Sequence, residues 1–269
     1  MPELPEVEVS RLGITPYLEQ QTVAKVNIHH KQLRWPIPDE VALLEGQVIQ
    51  RVQRRAKYLL LESAPGTLVL HLGMSGHLKV LPAGTPLVKH DHFELITAAG
   101  QSLRLNDTRR FGCVLWQTDD NPLSQLAHLG PEPLSDAFTD DHLFTHSRGR
   151  QASVKTFIMD NKVVVGVGNI YANEALFMSG IDPRRAAGRI SKARYLKLTQ
   201  AIRLVLARAI EQGGTTLKDF SRTDGQPGYF AQELAVYGQA GKPCPQCERP
   251  LSEARIGQRN TIFCKRCQT

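Results

Sequence analysis

Nowhere in the 269 residues is there a run of about 18 apolar residues, so no membrane span is expected. The first residues are acidic and lack a basic stretch followed by an apolar one, so a secretory signal peptide is not expected either. Internal repeats and low-complexity tracts are missing, which sets aside repeat arrays. Cysteine is scarce, with five in the chain. With no secretory route, the expected compartment is the reducing cytoplasm, where paired cysteines read as metal ligands before disulfides. What remains is ordinary globular composition, 41% hydrophobic and 22% charged, in a chain long enough for two domains or one large one.

The net charge of +7 is unevenly spread. Residues 1–144 carry 13 Lys+Arg against 17 Asp+Glu, a net of −4, and residues 145–269 carry 20 against 9, a net of +11. The basic excess therefore lies on the side of the paired cysteines. A polyanion such as nucleic acid is the natural partner, because each phosphate neutralised by Lys or Arg releases counterions. Charge alone also leaves open a basic surface that only confers solubility.

Along the chain, residues 3–20 read as a helix that would hold Pro2 against the body of the protein. Short strands follow between about 22 and 117, among them 22–29, 47–54, 58–62, 67–72, 92–97 and 102–105, with Gly, Pro and Asp between them. That spacing predicts an antiparallel sandwich or barrel. Gly130-Pro131-Glu132-Pro133-Leu134-Ser135-Asp136 marks a boundary region, after which the pattern turns helical. The clearest helix spans 191–212: Tyr195, Leu198, Ile202, Leu206 and Ala209 recur at three and four, and Gly213-Gly214 ends it. Its charges read as a solvated face. Residues 213–242, rich in Gly, Gln and Asp, are long enough for a lid.

Four cysteines carry the strongest local signal. Cys244-x2-Cys247 and Cys264-x2-Cys267, sixteen residues apart, supply four thiolates for tetrahedral zinc, with the intervening segment folded as a hairpin. Four protein sulfurs leave no open coordination position, so the metal holds a shape; redox thiols are the alternative. Cys113, in an apolar strand, reads as a buried thiol. Arg255, Arg259, Lys265 and Arg266 on the hairpin suit phosphate contact or merely non-specific charge.

At the other end, removal of Met1 would expose Pro2 as a secondary amine. An α-amino group titrates near 7.7–8.0 in general, so a useful fraction is neutral and nucleophilic at pH 7. Attack on a sugar C1′ gives a cationic iminium that acidifies the C2′ proton, and Glu3 is placed to protonate the ring oxygen. By itself, Pro2 is also just the second residue of a protein. Gly166-Val167-Gly168-Asn169-Ile170-Tyr171 lacks the third glycine of a dinucleotide fingerprint, since Tyr171 stands there. A glycine turn entering a helix, able to grip a phosphate with backbone N–H groups and Asn169, fits better, and a purely structural turn stays open.

Taken in order, Pro2-Glu3-Leu4-Pro5-Glu6-Val7-Glu8, Arg54-Arg55-Ala56-Lys57-Tyr58, His71-Leu72-Gly73-Met74-Ser75-Gly76, Asp107-Thr108-Arg109-Arg110-Phe111-Gly112, the Gly166 turn, Gln212-Gly213-Gly214-Thr215-Thr216 and the four-cysteine finger resemble bacterial formamidopyrimidine-DNA glycosylase, also called 8-oxoguanine DNA glycosylase. The resemblance runs nearly end to end. It implies an α+β protein with an N-terminal antiparallel β-sandwich flanked by helices (1–132). A helix-two-turn-helix domain (133–234) and a four-cysteine zinc-finger β-hairpin (235–269) would follow, with duplex DNA in the cleft between the N-terminal and C-terminal domains. It implies one structural zinc and, as partner, double-stranded DNA with oxidised purines or abasic sites; nothing in the sequence demands an oligomer or a redox cofactor, so a monomer is expected. Pro2 would release the base and form a Schiff base, Glu3 would assist as acid, and Lys57 and Arg259 would donate protons in β- and δ-elimination.

Positions matching DNA contacts in that family are His90, Arg109, Arg150, Lys155 and Asn169, with Lys218 in a lid over the everted base. Lesion chemistry at C1′ requires turning the nucleotide out of the stack. Met74, Arg109 and Phe111 are suited to filling the gap, although without the resemblance Met74 and Phe111 read as core. Lys57 precedes an apolar strand, so partial desolvation of its ammonium is expected. The nearest rival is the sister enzyme for oxidised pyrimidines, endonuclease VIII, against which the Leu4-Pro5-Glu6-Val7-Glu8 continuation and Arg109-x-Phe111 argue. A zinc-finger binding protein without activity would leave Pro2, Glu3 and Lys57 idle.

Overall fold

The computed structural model describes residues 2–215 and 233–269. The described residues fall into two compact units, 2–127 with 212–215 and 128–211 with 233–269. Lys218 and most of the expected lid lie outside the described residues.

In the first unit, α1 (Leu4–Leu18) begins at a reciprocal cap. The Glu3 carboxylate accepts the Glu6 backbone N–H, and Glu6 accepts the Glu3 N–H at 2.8 Å. Pro5, in the first turn, removes an N–H that has no intrahelical partner there.

Eight strands follow: β1 (Val23–Ile28), β2 (Arg51–Arg55), β3 (Tyr58–Ser63), β4 (Gly66–His71), β5 (His77–Pro82), β6 (Asp91–Thr97), β7 (Gln101–Asn106) and β8 (Cys113–Gln117). A short helix, α2 (Ser124–Ala127), closes the unit's first segment. The strands pair antiparallel in two four-stranded sheets, ordered β1-β6-β7-β5 and β2-β3-β4-β8. Period-two alternation sends Leu59, Leu61, Leu68, Leu70 and Val114 of one sheet against Phe93, Leu95, Leu103 and Leu105 of the other. Val7, Ile14 and Leu18 of α1 complete that core, and each buried side chain contributes roughly 1.5–3 kcal/mol. The sandwich expected from the sequence is there. Strand β5 is not among the segments singled out above, because this edge strand buries only Leu78 and its pattern is weak.

In the second unit, α3 (His142–Ser147), α4 (Val154–Ile158), α5 (Asn169–Met178) and α6 (Lys192–Glu211) precede the hairpin β9 (Ser252–Ile256) and β10 (Arg259–Phe263). The apolar stripe of α6 is buried as expected, while Lys192 and Arg203 pair with Asp141 and Asp140 at 2.7 and 3.1 Å. In contrast, α5 is buried from Ile170 to Phe177, so it shows no amphipathic period. The hairpin turns through Gly257 and Gln258, both left-handed at φ 54° and 60°, as a two-residue primed turn requires.

Candidate functional site

Pro2 and Glu3 are both buried, Glu3 to 2% exposure. Glu6 fastens Glu3. Besides capping Glu3, its carboxylate accepts the Thr215 N–H at 2.9 Å and hydroxyl at 2.8 Å. Gly214, left-handed at φ +79°, packs on the same side chain, so the chain returns after α6 to clasp its own start. Glu6 is not among the residues singled out from the sequence; its signal there is the spacing of three from Glu3, the signature of a capping box.

Lys57 sits half-buried in the tight turn joining β2 to β3, after Ala56 at φ +53°. Arg54 fixes that turn, donating to Ala56 O at 2.9 Å and to Glu8 of α1 at 2.8 Å. Burial alone would raise the Glu8 carboxyl, but the hydrogen bonds and charges of Arg11 and Arg54 outweigh it and hold it below the ordinary range. Behind the turn, Tyr58, His71 and Cys113 are successive cross-strand partners. Burial, then the charges of Lys57 and Arg34, push His71 down to about 4 against the pull of Asp107. Its Nδ1 accepts the Gly73 N–H at 3.0 Å, so the ring is neutral. A neutral imidazole beside a lysine is not legible in the sequence, because only the strand pairing sets them together. Burial pushes the Cys113 thiol up to about 12, in keeping with its reading as an inert buried thiol.

The proposed gap-filling residues share two adjoining turns. Met74 is half-buried, Arg109 exposed, and Phe111 46% exposed, with the Arg109 guanidinium 4.9 Å from the Phe111 ring centroid. His90, half-buried at φ +75°, accepts the Asp107 N–H at 3.1 Å through its carbonyl.

In the second unit, Arg150, Lys155 and Arg259 line one cavity of about 350 Å³ with Thr156, Asp160 and Gly257. Arg150 and Arg259 are exposed. Lys155 is 1% exposed, and its Nζ donates to Asn260 O at 3.0 Å and Thr261 Oγ1 at 2.6 Å. As placed, Lys155 braces the hairpin that carries Arg259. Asn169 opens α5, where the first-turn N–H groups lack intrahelical partners and favour an anion, and its Oδ1 is buried with no hydrogen-bond partner among the described residues.

Asn173, one turn on, accepts the Ile262 N–H of β10 at 2.8 Å, and Glu174 accepts three consecutive N–H groups from Ala235, Val236 and Tyr237 at 2.8–3.0 Å. Burial raises the Glu174 carboxyl despite those donors.

The sulfurs of Cys244, Cys247, Cys264 and Cys267 lie within 4.8 Å of one another, with Cys244–Cys267 at 3.9 Å and Cys247–Cys264 at 3.5 Å. Zinc–sulfur bonds of about 2.3 Å in a tetrahedron separate sulfurs by about 3.8 Å, so the set fits one structural zinc. No helix among the described residues is long and apolar enough to cross a membrane.

Three family models match the chain. The formamidopyrimidine-DNA glycosylase N-terminal domain matches residues 1–114, the formamidopyrimidine-DNA glycosylase H2TH domain 129–221, and the zinc finger found in FPG and IleRS 241–269. A formamidopyrimidine-DNA glycosylase of Alteromonas mediterranea is 62% identical over 268 residues, covering 100% of both chains. The structure is similar to a variant of Lactococcus lactis FPG solved with Fapy-dG containing DNA, at 28% identity, TM-score 0.91 and 100% coverage of each chain. It is similar also to MutM in complex with carbocyclic 8-oxo-G containing DNA, at 28% identity, TM-score 0.90 and 100% coverage of each.

Proposed function

The chain belongs to the formamidopyrimidine-DNA glycosylase family, and from that premise we propose that it excises 8-oxoguanine and formamidopyrimidines from duplex DNA and then cleaves the strand. The observation that carries this reading is the clasp on the N-terminus: Glu6 bonds Glu3 on one side and Thr215 on the other, and Pro2 and Glu3 are buried. An ordinary second residue has no reason to be held so.

After Met1 is removed, the Pro2 nitrogen forms a bond to C1′ as the bond from C1′ to the base breaks, and the base leaves with a proton. The C1′–O4′ bond then opens, O4′ taking a proton from Glu3, and the cationic iminium remains. Loss of the C2′ proton expels the 3′ phosphate, and a second elimination expels the 5′ phosphate. Lys57 and Arg259 supply protons in those two steps. Because the His71 ring behind it is neutral, the Lys57 ammonium meets no competing imidazolium and is suited to phosphate.

Asn169 at the start of α5, Arg150 and His90 grip the backbone, Lys155 acts by bracing the Arg259 hairpin, and Met74, Arg109 and Phe111 occupy the gap left by the everted nucleotide. Lys218 belongs to the same reading as a contact from the lid. Zinc keeps the hairpin in shape and takes no part in a chemical step. One copy of the chain suffices for every role, and its partner is duplex DNA.

Borohydride trapping on a duplex with one 8-oxoguanine opposite cytosine, followed by mass mapping, tests the reading. A covalent adduct on the peptide beginning at Pro2 is expected. Absence of any adduct from processed, zinc-loaded protein that still binds the duplex would overturn it.

A further inference from the structure

Asp107 is fully buried, and among the described residues its carboxylate is met by neutral donors, a hydroxyl and two backbone N–H groups. Its Oδ1 accepts the Ser75 hydroxyl at 2.6 Å and the Arg109 N–H at 3.3 Å, and its Oδ2 accepts the Gly112 N–H at 2.8 Å. Ser75 Oγ in turn accepts the Arg109 N–H at 3.0 Å. The main chain of Asp107 is fastened as well, its carbonyl accepting from His92 Nε2 at 2.8 Å and its N–H donating to His90 O at 3.1 Å.

The carboxylate thus gathers donors from two separate turns, one bearing Met74 and the other bearing Arg109 and Phe111. Backbone packing locks the same junction. Gly73 is left-handed at φ +63°, and a Cβ there would stand 2.4 Å from both Gly112 N and the Phe111 carbonyl carbon. Only glycine lets the two turns approach this closely.

We propose that Asp107, acting with Ser75, is the positioning residue that sets the spacing between the Met74 turn and the Arg109–Phe111 loop, so that the three side chains enter the duplex as one rigid wedge. The inference rests on the reading of those three side chains as gap-fillers. Asp107 touches neither the sugar nor the base; its effect falls on turning the nucleotide out of the stack. Eversion demands the wedge most where a base is stacked and paired, and least at an abasic sugar.

The test compares Asp107→Asn and Ser75→Ala with wild type in single-turnover assays on two duplexes, one with 8-oxoguanine and one with a preformed abasic site. An amide offers one acceptor oxygen where the carboxylate uses two, so Asp107→Asn strands a donor from one of the turns while nearly keeping the shape. The ratio of base excision to abasic-strand cleavage should fall by about tenfold or more in Asp107→Asn, and by a smaller factor in Ser75→Ala. A 2-aminopurine placed beside the lesion should brighten more slowly on mixing.

Equal loss on both duplexes, or no change in the ratio, would overturn the proposal, since a general scaffold role moves both reactions together. If Asp107→Asn fails to fold, Ser75→Ala carries the comparison; if neither folds, the pair is scaffold and the proposal falls. Failure of the glycosylase reading itself shows separately, as wild-type protein that does not excise 8-oxoguanine at all.

Discussion

At the residue scale, the proposed nucleophile, the Pro2 nitrogen, lies in a buried and hydrogen-bonded N-terminus. Glu3 beside it is buried, and Glu6 uses both oxygens to fasten the start of α1. Pro2→Gly replaces the constrained secondary amine by a flexible primary one. Trapped adduct should drop by about a hundredfold or more while affinity for an undamaged duplex stays within about threefold; undiminished base release would show the nucleophile to be elsewhere.

His71 supplies the second prediction at this scale. In the unfolded chain it titrates near 6.5, and in the folded chain at about 4. The unfolded state therefore binds more protons in that window, so stability tied to neutral His71 is whole above pH 6.5 and lost as pH falls toward 4. In urea unfolding, the stability advantage of wild type over His71→Gln should shrink by on the order of 2 kcal/mol between pH 7 and pH 4.5. A difference constant with pH would refute it.

The zinc hairpin is the element whose integrity is least self-sufficient. Two short strands cannot stand alone in water, and the four thiolates together with ties from α4 and α5 supply what is missing. Cys247→Ser should release the metal, measured by elemental analysis, and weaken duplex binding by about tenfold or more, because Arg259 is then no longer presented. Unchanged affinity in metal-free protein would deny the finger its structural role.

Asn173→Ala offers a milder break. It leaves the buried Ile262 N–H without an acceptor, which costs about 1–3 kcal/mol, and thermal unfolding should register that loss with zinc still bound. Retention of full stability would mean that another group accepts the N–H.

For the whole molecule, the division of charge into −4 and +11 across residues 1–144 and 145–269 is the property that reaches furthest. It predicts steep salt dependence of duplex binding, with log affinity falling linearly against log salt. Arg150→Ala and Arg259→Ala should each reduce the steepness of that slope by about one, as removal of a single phosphate contact does. An unchanged slope in either variant would remove that residue from the interface. The same experiment on Lys155→Met should change affinity without a matching unit change in slope, since its ammonium is engaged by Asn260 and Thr261 inside the protein.

Much of this was legible in the residues. The four zinc ligands, the apolar stripe of α6 and the alternation of β3 and β4 are encoded by short spacings, because helix, strand and knuckle geometry repeat over two to four residues. The order of motifs was enough to point to the family. Other features were decided only when the core closed. Glu6 meets Thr215 across 209 positions of chain, Glu174 collects three N–H groups from residues 235–237, Asp107 joins two turns, and Lys155 turns inward to the hairpin. Each is a buried polar group that must find partners once water is excluded, and which backbone donors are left waiting for it depends on tertiary packing, not on any local pattern.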